Sequence, residues 1–336
     1  MFKIKKISVW IMAMLCVLCV ATSCGKSKTD EKQDNGKTET KTIRIGSNKA
    51  LGTVTPYLAE KLGYFEGKDY KVEVLEFTDA TAIMEAMAAG EVEIGLGGVA
   101  APATWNAKGL DVRVVASANT GGHAIVSKKD SGIKTVEDLK GKTMAGPNVG
   151  TVTDALLKAY VLPQYNMTEN DMTIVTGMKS VDMVNTLLNT DELDAIMTWE
   201  PYASMAEIQG SDVVTVYDAA EEYKKNSGSD TVYPTNVVAA SGEFCDKNTE
   251  IVQDIVSIIG KTVEYVNENE EEANQKIAEI LELDAEVIAK SRKRSDLTFE
   301  IDIDATMEVL EWASDLGYIE KIPDKEDLFD LRFTSK

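Results

Sequence analysis

Gly46-Ser47-Asn48-Lys49-Ala50-Leu51-Gly52-Thr53-Val54-Thr55 and Gly146-Pro147-Asn148-Val149-Gly150-Thr151-Val152-Thr153 end on the same four residues, Gly-Thr-Val-Thr. Each follows a short strand-like run, Ile43 and Ile45 before the first and Thr143-Met144-Ala145 before the second, and each leads into apolar residues at helical spacing. A strand, a Gly-rich loop and a helix in that order leave unpaired backbone N–H groups at the helix start. An anion or another hydrogen-bond acceptor can sit there. Two such junctions about a hundred residues apart predict a ligand gripped from both sides.

Outward from these junctions the chain alternates between the two periods. Val54, Leu58 and Leu62 recur as on a helix; Val72, Val74 and Leu75 read as a strand; Ile83, Met84, Met87 and Ala88 form one helical face. Val92, Ile94 and Leu96 alternate into Gly97-Gly98, a small-residue helix follows over 100–107, and Val112, Val114 and Val115 supply another strand. The spacing predicts a doubly wound α/β unit whose ligand crevice lies outside the carboxyl ends of its strands. Around residues 118–123 the chain crosses into a second such unit: strand 124–126, short helix 136–139, strand 143–145, then Val152, Leu156, Ala159 and Tyr160 on one helix face. Strand 174–175, a helix carrying Val181, Val184, Leu187 and Leu188, strand 195–197 and strand 213–214 complete it. Residues 223–231 read as a polar loop, strand character resumes at 237–239, and helices close the chain with Ile251, Ile255, Ile258, Ile259, Val263, Met307, Leu310 and Trp312 as apolar positions. The acidic run 268–272 fits a solvated helix start. The expected organisation is therefore residues 42–120 with 237–336 as lobe I and 121–236 as lobe II, joined by two crossings that act as a hinge.

The first residues have the anatomy of an export signal: Lys3, Lys5 and Lys6, then an apolar run over 7–20 that is too short to span a bilayer. Ala21-Thr22-Ser23-Cys24 resembles a bacterial lipoprotein cleavage site, departing from it at Ala21, where the pattern has a larger aliphatic residue. The resemblance implies a signal peptide over 1–23, lipidation of Cys24 and a membrane-anchored protein facing outside the cytoplasm. An ordinary secretory signal is the alternative. A polar tether over 24–41 suits the space between anchor and folded body.

The formal net charge of -21 argues against nucleic acid as a partner. It does not exclude an anionic ligand, because local donors set the field in a cleft. Of the four cysteines, Cys16 and Cys19 belong to the signal and Cys24 to the anchor, leaving Cys245 as a buried small apolar residue. No disulfide framework remains, so the core supplies the stability. With a single histidine, His123, and one remaining thiol, a zinc site is not expected, nor is any cofactor.

Leu62-Gly63-Tyr64-Phe65, Gly90-Glu91-Val92-Glu93-Ile94-Gly95, Thr135-Val136-Glu137-Asp138-Leu139-Lys140-Gly141-Lys142, the Gly150-Thr151 loop and Trp199-Glu200-Pro201-Tyr202 occur in an order and spacing that resemble the solute-binding lipoproteins of ATP-driven (ABC) importers, of the sulfonate, taurine and nitrate type. The resemblance runs from about Thr42 to Phe333. It implies the two-lobed periplasmic-binding-protein fold of type II, a small solute in the cleft, an ABC permease as partner, a monomer and no catalysis.

The candidate binding residues follow from both readings. Ser47 and Asn48 hold the first loop; Gly98 and Val99 begin a helix start that offers backbone only. Gly150, Thr151 and Thr153 hold the second loop, where the hydroxyls either cap the helix or turn to an oxyanion. Asp154, in the same turn, would compete with an anion for the helix dipole. Trp199 either walls the cleft or belongs to the core. Glu200 either accepts from a ligand N–H, as taurine's amine would offer, or braces the hinge. His123, Thr235 and Asn236 lie at the crossings and either reach the ligand or satisfy loop groups. Asp138-Leu139-Lys140-Gly141 reads as a capped helix end.

Two other readings stay open: a binder of a vitamin-precursor heteroaromatic, kept alive by Trp105, Trp199, Tyr202 and Glu200, and an enzyme on the same fold. The enzyme requires a nucleophile with its base or a metal motif, and the sequence carries no G-x-S-x-G, Walker loop or spaced His cluster. A sensor ectodomain presenting solute to a receptor is a further, secondary possibility.

Overall fold

Among the described residues eleven strands form, most of them from short runs rich in β-branched residues: β1 (Lys41–Ser47), β2 (Tyr70–Glu76), β3 (Ile94–Gly98), β4 (Val112–Gly121), β5 (His123–Lys128), β6 (Thr143–Ala145), β7 (Thr173–Val175), β8 (Ala195–Trp199), β9 (Val213–Asp218), β10 (Pro234–Ser241) and β11 (Ser295–Leu297). The computed structural model describes residues 40–334 apart from Ser229. The signal peptide, Cys24 and nearly all of the tether lie outside the described residues. The strands make two sheets, ordered β11-β4-β10-β3-β1-β2 and β7-β6-β8-β5-β9.

In the first sheet β1 runs parallel to β2 and β3, whereas β10 is antiparallel to β3 and β4. In the second, β6 is parallel to β7 and β8, and β5 is antiparallel to β8 and β9. Parallel neighbours place the loops after β1 and β3 side by side, and likewise those after β6 and β8, as in other open α/β sheets. The sequence positions 120/121 and 236/237 fall inside β4 and β10, both strands of the first sheet.

The two sheets share apolar packing. Val114 and Val237 of the first sheet belong to one cluster with Ile125, Met144, Ala195 and Met197 of the second. The helix Ile303–Asp315 joins them: its Trp312 lies 4.9 Å from the ring centroid of Tyr160 and 5.8 Å from that of Tyr233. Cys245 is fully buried, which pushes its thiol up to about 12 and leaves it an inert core residue.

The first part of the expected loop 223–231 is helical. Residues Ala219–Ser227 are helical, with the Asp218 carboxylate accepting from the Ala220 and Glu221 N–H groups and Gly228 ending the run at a φ of 66°. Only Ala219, Ala220 and Tyr223 are buried there, too few to show a periodic apolar face in so polar a stretch. β11 was also not expected: three residues, Ser295–Leu297, are too few to alternate visibly.

Candidate functional site

The two Gly-Thr-Val-Thr junctions fold by the same lock at different lengths. In the second, Thr151 Oγ1 donates to the Asn148 carbonyl (2.8 Å) and accepts from the Asp154 N–H (3.2 Å), capping the helix that begins Val152–Ala155 and continues through a π-helical turn. In the first, Thr53 Oγ1 donates to the Asn48 carbonyl (2.5 Å). The first loop has two more residues between its glycines, and Leu51–Thr53 absorb them as a 3-10 turn. Its following helix, Thr55–Lys61, has no side-chain cap and carries Pro56 at its start. Ser47, fully buried, donates to the Thr53 carbonyl (2.8 Å) and so serves the loop's shape. Gly150 is exposed with a φ of 86°, a left-handed conformation that suits glycine.

Asp154 competes for the junction's donors only in part, its carboxylate accepting from the Gly150 N–H at 3.4 Å. It is fully buried, paired with Lys158 Nζ at 3.1 Å and accepting from the Tyr318 hydroxyl. Burial and Asp154 push Tyr318 up to about 12, which keeps it a donor. The capped turn therefore retains its positive end, and the Val152 and Thr153 N–H groups remain first-turn donors with no intrahelical partner.

A row of residues crosses the first sheet where the chain passes between sheets: Gly98 opposes Asn236, Asn236 opposes Asn119, and Asn119 opposes Leu297. Asn119 Oδ1 accepts from both the N–H (3.1 Å) and Nδ2 (2.7 Å) of Asn236, while Asn119 Nδ2 donates to Ser295 Oγ (2.9 Å). Gly52 packs against this pair so closely that a Cβ there would lie 2.5 Å from Asn119 Oδ1 and 2.6 Å from Asn236 Nδ2. Val99 donates its N–H to the Thr235 carbonyl (3.1 Å), and Thr235 Oγ1 donates to the Gly121 carbonyl (2.7 Å). The crossing residues Val99, Thr235 and Asn236 are thus engaged with backbone and with each other. Gly98 faces the second junction: a Cβ on it would stand 3.5 Å from Val152 Cγ2.

On the second sheet His123 opposes Trp199 across β5 and β8. His123 is buried between Tyr233 OH (3.0 Å from Nδ1) and Thr153 Oγ1 (3.0 Å from Nε2), and burial lowers its pKa to about 3. The ring is a packed, neutral crossing residue. Trp199 is half-buried and meets Tyr202 edge-on at 6.1 Å.

Glu200 takes the bracing role. Its Oε1 accepts from Ser204 Oγ (2.9 Å) and Arg294 Nη1 (2.9 Å), its Oε2 from the Ser204 N–H (3.1 Å) and Ser291 Oγ (3.0 Å). Arg294 also bonds Glu207, Asp218 Oδ2 (2.7 Å) and Thr215 Oγ1 (2.6 Å). Burial works to lower the Arg294 pKa, but its bonds to Glu207 and the charge of Glu200 hold it above the ordinary value. For Glu207, burial acts to raise the pKa and the Arg294 bond outweighs it, keeping the carboxylate below its usual range.

Thr153 bonds His123, His123 opposes Trp199, and Gly98 packs on Val152 next to Thr151; Ser47, Val99, Glu200 and Asn236 are engaged with other protein groups. Sequence reasoning missed Asn119, Tyr233, Arg294, Lys158 and Tyr318. Asn119, a polar residue inside the apolar strand 112–121, was the one with a visible signal. Among the described residues no group of three His, Cys, Asp or Glu side chains is placed to hold a metal ion.

Two sheets of this order, joined by a laced crossing, define the type II periplasmic-binding-protein fold. The crystal structure of the periplasmic aliphatic sulphonate binding protein SsuA from Escherichia coli superposes with a TM-score of 0.72 at 22% identity, covering 86% of this chain and 92% of that one. The alkanesulfonate-binding protein SsuA from Xanthomonas axonopodis pv. citri, bound to MOPS, gives 0.67 at 18% identity, over 84% and 95%. The chain belongs to the NMT1/THI5 like family, whose match spans residues 53–273. A putative aliphatic sulfonates-binding protein of Bacillus subtilis (strain 168) is 25% identical over 97% of this chain and 96% of its own length.

Proposed function

We propose that this protein is the extracytoplasmic solute-binding component of an ATP-driven importer, capturing a small sulfonate or related oxyanion between residues 46–55 and 146–153 and delivering it to a membrane permease. The observation that carries the reading is the internal matching of both nearby carboxylates, Asp154 by Lys158 and Tyr318, Glu200 by Arg294. What remains toward the ligand is donors: first-turn N–H groups behind Thr151, and the Thr153 hydroxyl. The names of the sulfonate-binding relatives support the same ligand class.

In this reading residues 42–120 with 237–336 and residues 121–236 are the lobes that close on the solute. Gly98, Thr151, Thr153 and Trp199 line the ligand; Ser47, Asn48, Val99, His123, Gly150, Glu200 and Asn236 hold the shape around it. Its work is differential binding of open and closed states rather than catalysis. Cys24 carries the lipid anchor; Cys24→Ser then releases the protein from membranes, and unchanged retention with lipid labelling would refute the anchor.

A thermal-shift panel tests the ligand class: taurine, alkyl sulfonates, nitrate, bicarbonate, and pyrimidine or flavin compounds. A sulfonate raising Tm supports the proposal. If only heteroaromatics raised it, the half-buried Trp199 beside Tyr202 would be a stacking wall and the anion reading would be wrong.

A further inference from the structure

Three side chains from three parts of the chain form one hydrogen-bonded line: Tyr233 before β10, His123 at the start of β5 and Thr153 in the first turn after the second junction, with 3.0 Å at each bond. The line contains three protons, one each on the phenol, the neutral imidazole and the Thr hydroxyl, but only two bonds. One proton is left over, and the imidazole tautomer decides at which end. With the ring proton on Nδ1, it donates to Tyr233 and Thr153 donates to Nε2, leaving the phenol proton without an acceptor. With the ring proton on Nε2, Tyr233 donates to Nδ1 and the free proton is that of Thr153.

Both ends are buried, Thr153 at 5% exposure, but their surroundings differ. Tyr233 is fully buried inside an aromatic cluster, 5.4 Å from the Tyr223 ring and 5.8 Å from Trp312; its oxygen also meets the His123 backbone N–H, a donor, and among the described residues the only acceptor shown for its own proton is Nδ1. An orphan O–H there would be a buried unsatisfied donor. Burial also holds the Tyr233 pKa well above its ordinary value, so the phenol keeps its proton. Thr153 sits in the first helical turn, beside N–H groups that lack intrahelical partners. We propose that Tyr233 and His123 are positioning residues that fix the Nε2–H tautomer and thereby present Thr153 O–H to the cleft as a donor only, selecting a ligand that accepts hydrogen bonds. This rests on the oxyanion-binding function proposed above, since a sulfonate oxygen is such an acceptor.

His123 is the only histidine in the chain, so isotope-labelled histidine in untagged protein gives the signals of one ring. Long-range nitrogen–proton correlation spectra of the ligand-free protein at neutral pH are expected to show a neutral Nε2–H imidazole. An Nδ1–H ring overturns the relay whatever the ligand proves to be. With ethanesulfonate as probe, Thr153→Val is expected to weaken binding roughly ten- to a hundredfold, as for loss of a bond to a charged group. Thr153→Ser keeps wild-type affinity. Tyr233→Phe frees Nε2 to accept from Thr153; it is expected to move the ring toward Nδ1–H and weaken binding although residue 233 does not touch the ligand. If wild type binds ethanesulfonate and Thr153→Val binds it equally well, the proposal is wrong. If wild type binds no sulfonate, the functional reading fails, and the tautomer still decides the relay by itself.

Discussion

Replacing Arg294 with Met removes the cation that three carboxylates share. The Arg294 side chain is 11% exposed, and its partners Glu200, Glu207 and Asp218 are 1%, 8% and 15% exposed, so water cannot take over its role. Glu200 would keep its bonds from Ser204 and Ser291, and Glu207 would keep Lys290 at 3.3 Å; Asp218 would keep the helix cap alone. Breaking a buried pair by removing one member costs about 3–5 kcal/mol, because the remaining charge is stranded. At about 2 °C per kcal/mol for a chain of this size, Tm should fall by roughly 6–10 °C in calorimetry at neutral pH. Arg294→Lys should lose part of this, since an ammonium retains the charge but cannot fork between Glu200 and Glu207. Combining Arg294→Met with Glu200→Gln and Glu207→Gln should recover part of the loss, a coupling expected of one network. A Tm for Arg294→Met within about 1 °C of wild type would show that the carboxylates are not paired through this residue.

His123 makes stability depend on pH. Its folded pKa of about 3 lies below the ordinary 6.5, so between these values the unfolded chain binds the extra proton. Stability from this group is complete above 6.5 and is lost as pH falls toward 3, by at most about 1.4 kcal/mol per pH unit. His123→Gln should flatten the upper part of that decline; an unchanged slope would refute it. Gly52→Ala would place a methyl 2.5 Å from Asn119 Oδ1, so a loss of about 1–3 kcal/mol is expected by denaturant unfolding. An unaffected midpoint would mean that the Asn119–Asn236 pair is not fixed against the first junction.

The sheets were legible because β-branched runs such as Val112 to Val115 and Ile43 to Ile45 alternate visibly, and because the Gly-rich junctions mark where strands give way to helices. The site was legible in part. The junction letters offered Thr151 as a helix cap, which it is, but gave neither the Asn-carbonyl lock nor the inward turn of Thr53, which depends on the two extra residues of the first loop. Trp199 and Glu200 are consecutive, but Trp199 is the last residue of β8 and Glu200 lies in the turn after it. Trp199 accordingly shares the crossing with His123, while Glu200 turns to Ser204 and Arg294. Arg294 pairs with groups 76–94 residues earlier, a separation at which charge patterning carries no signal. Asp154 looked repulsive because Tyr318, its partner, is 164 residues away.

The central claim, that an oxyanion is held by donors at the second junction, is tested most directly by isothermal titration of the protein with ethanesulfonate and taurine at neutral pH. Saturable one-to-one binding, weakened by Thr153→Val and untouched by Thr153→Ser, is the expected result. Saturable binding of a pyrimidine with no heat from either sulfonate would contradict it.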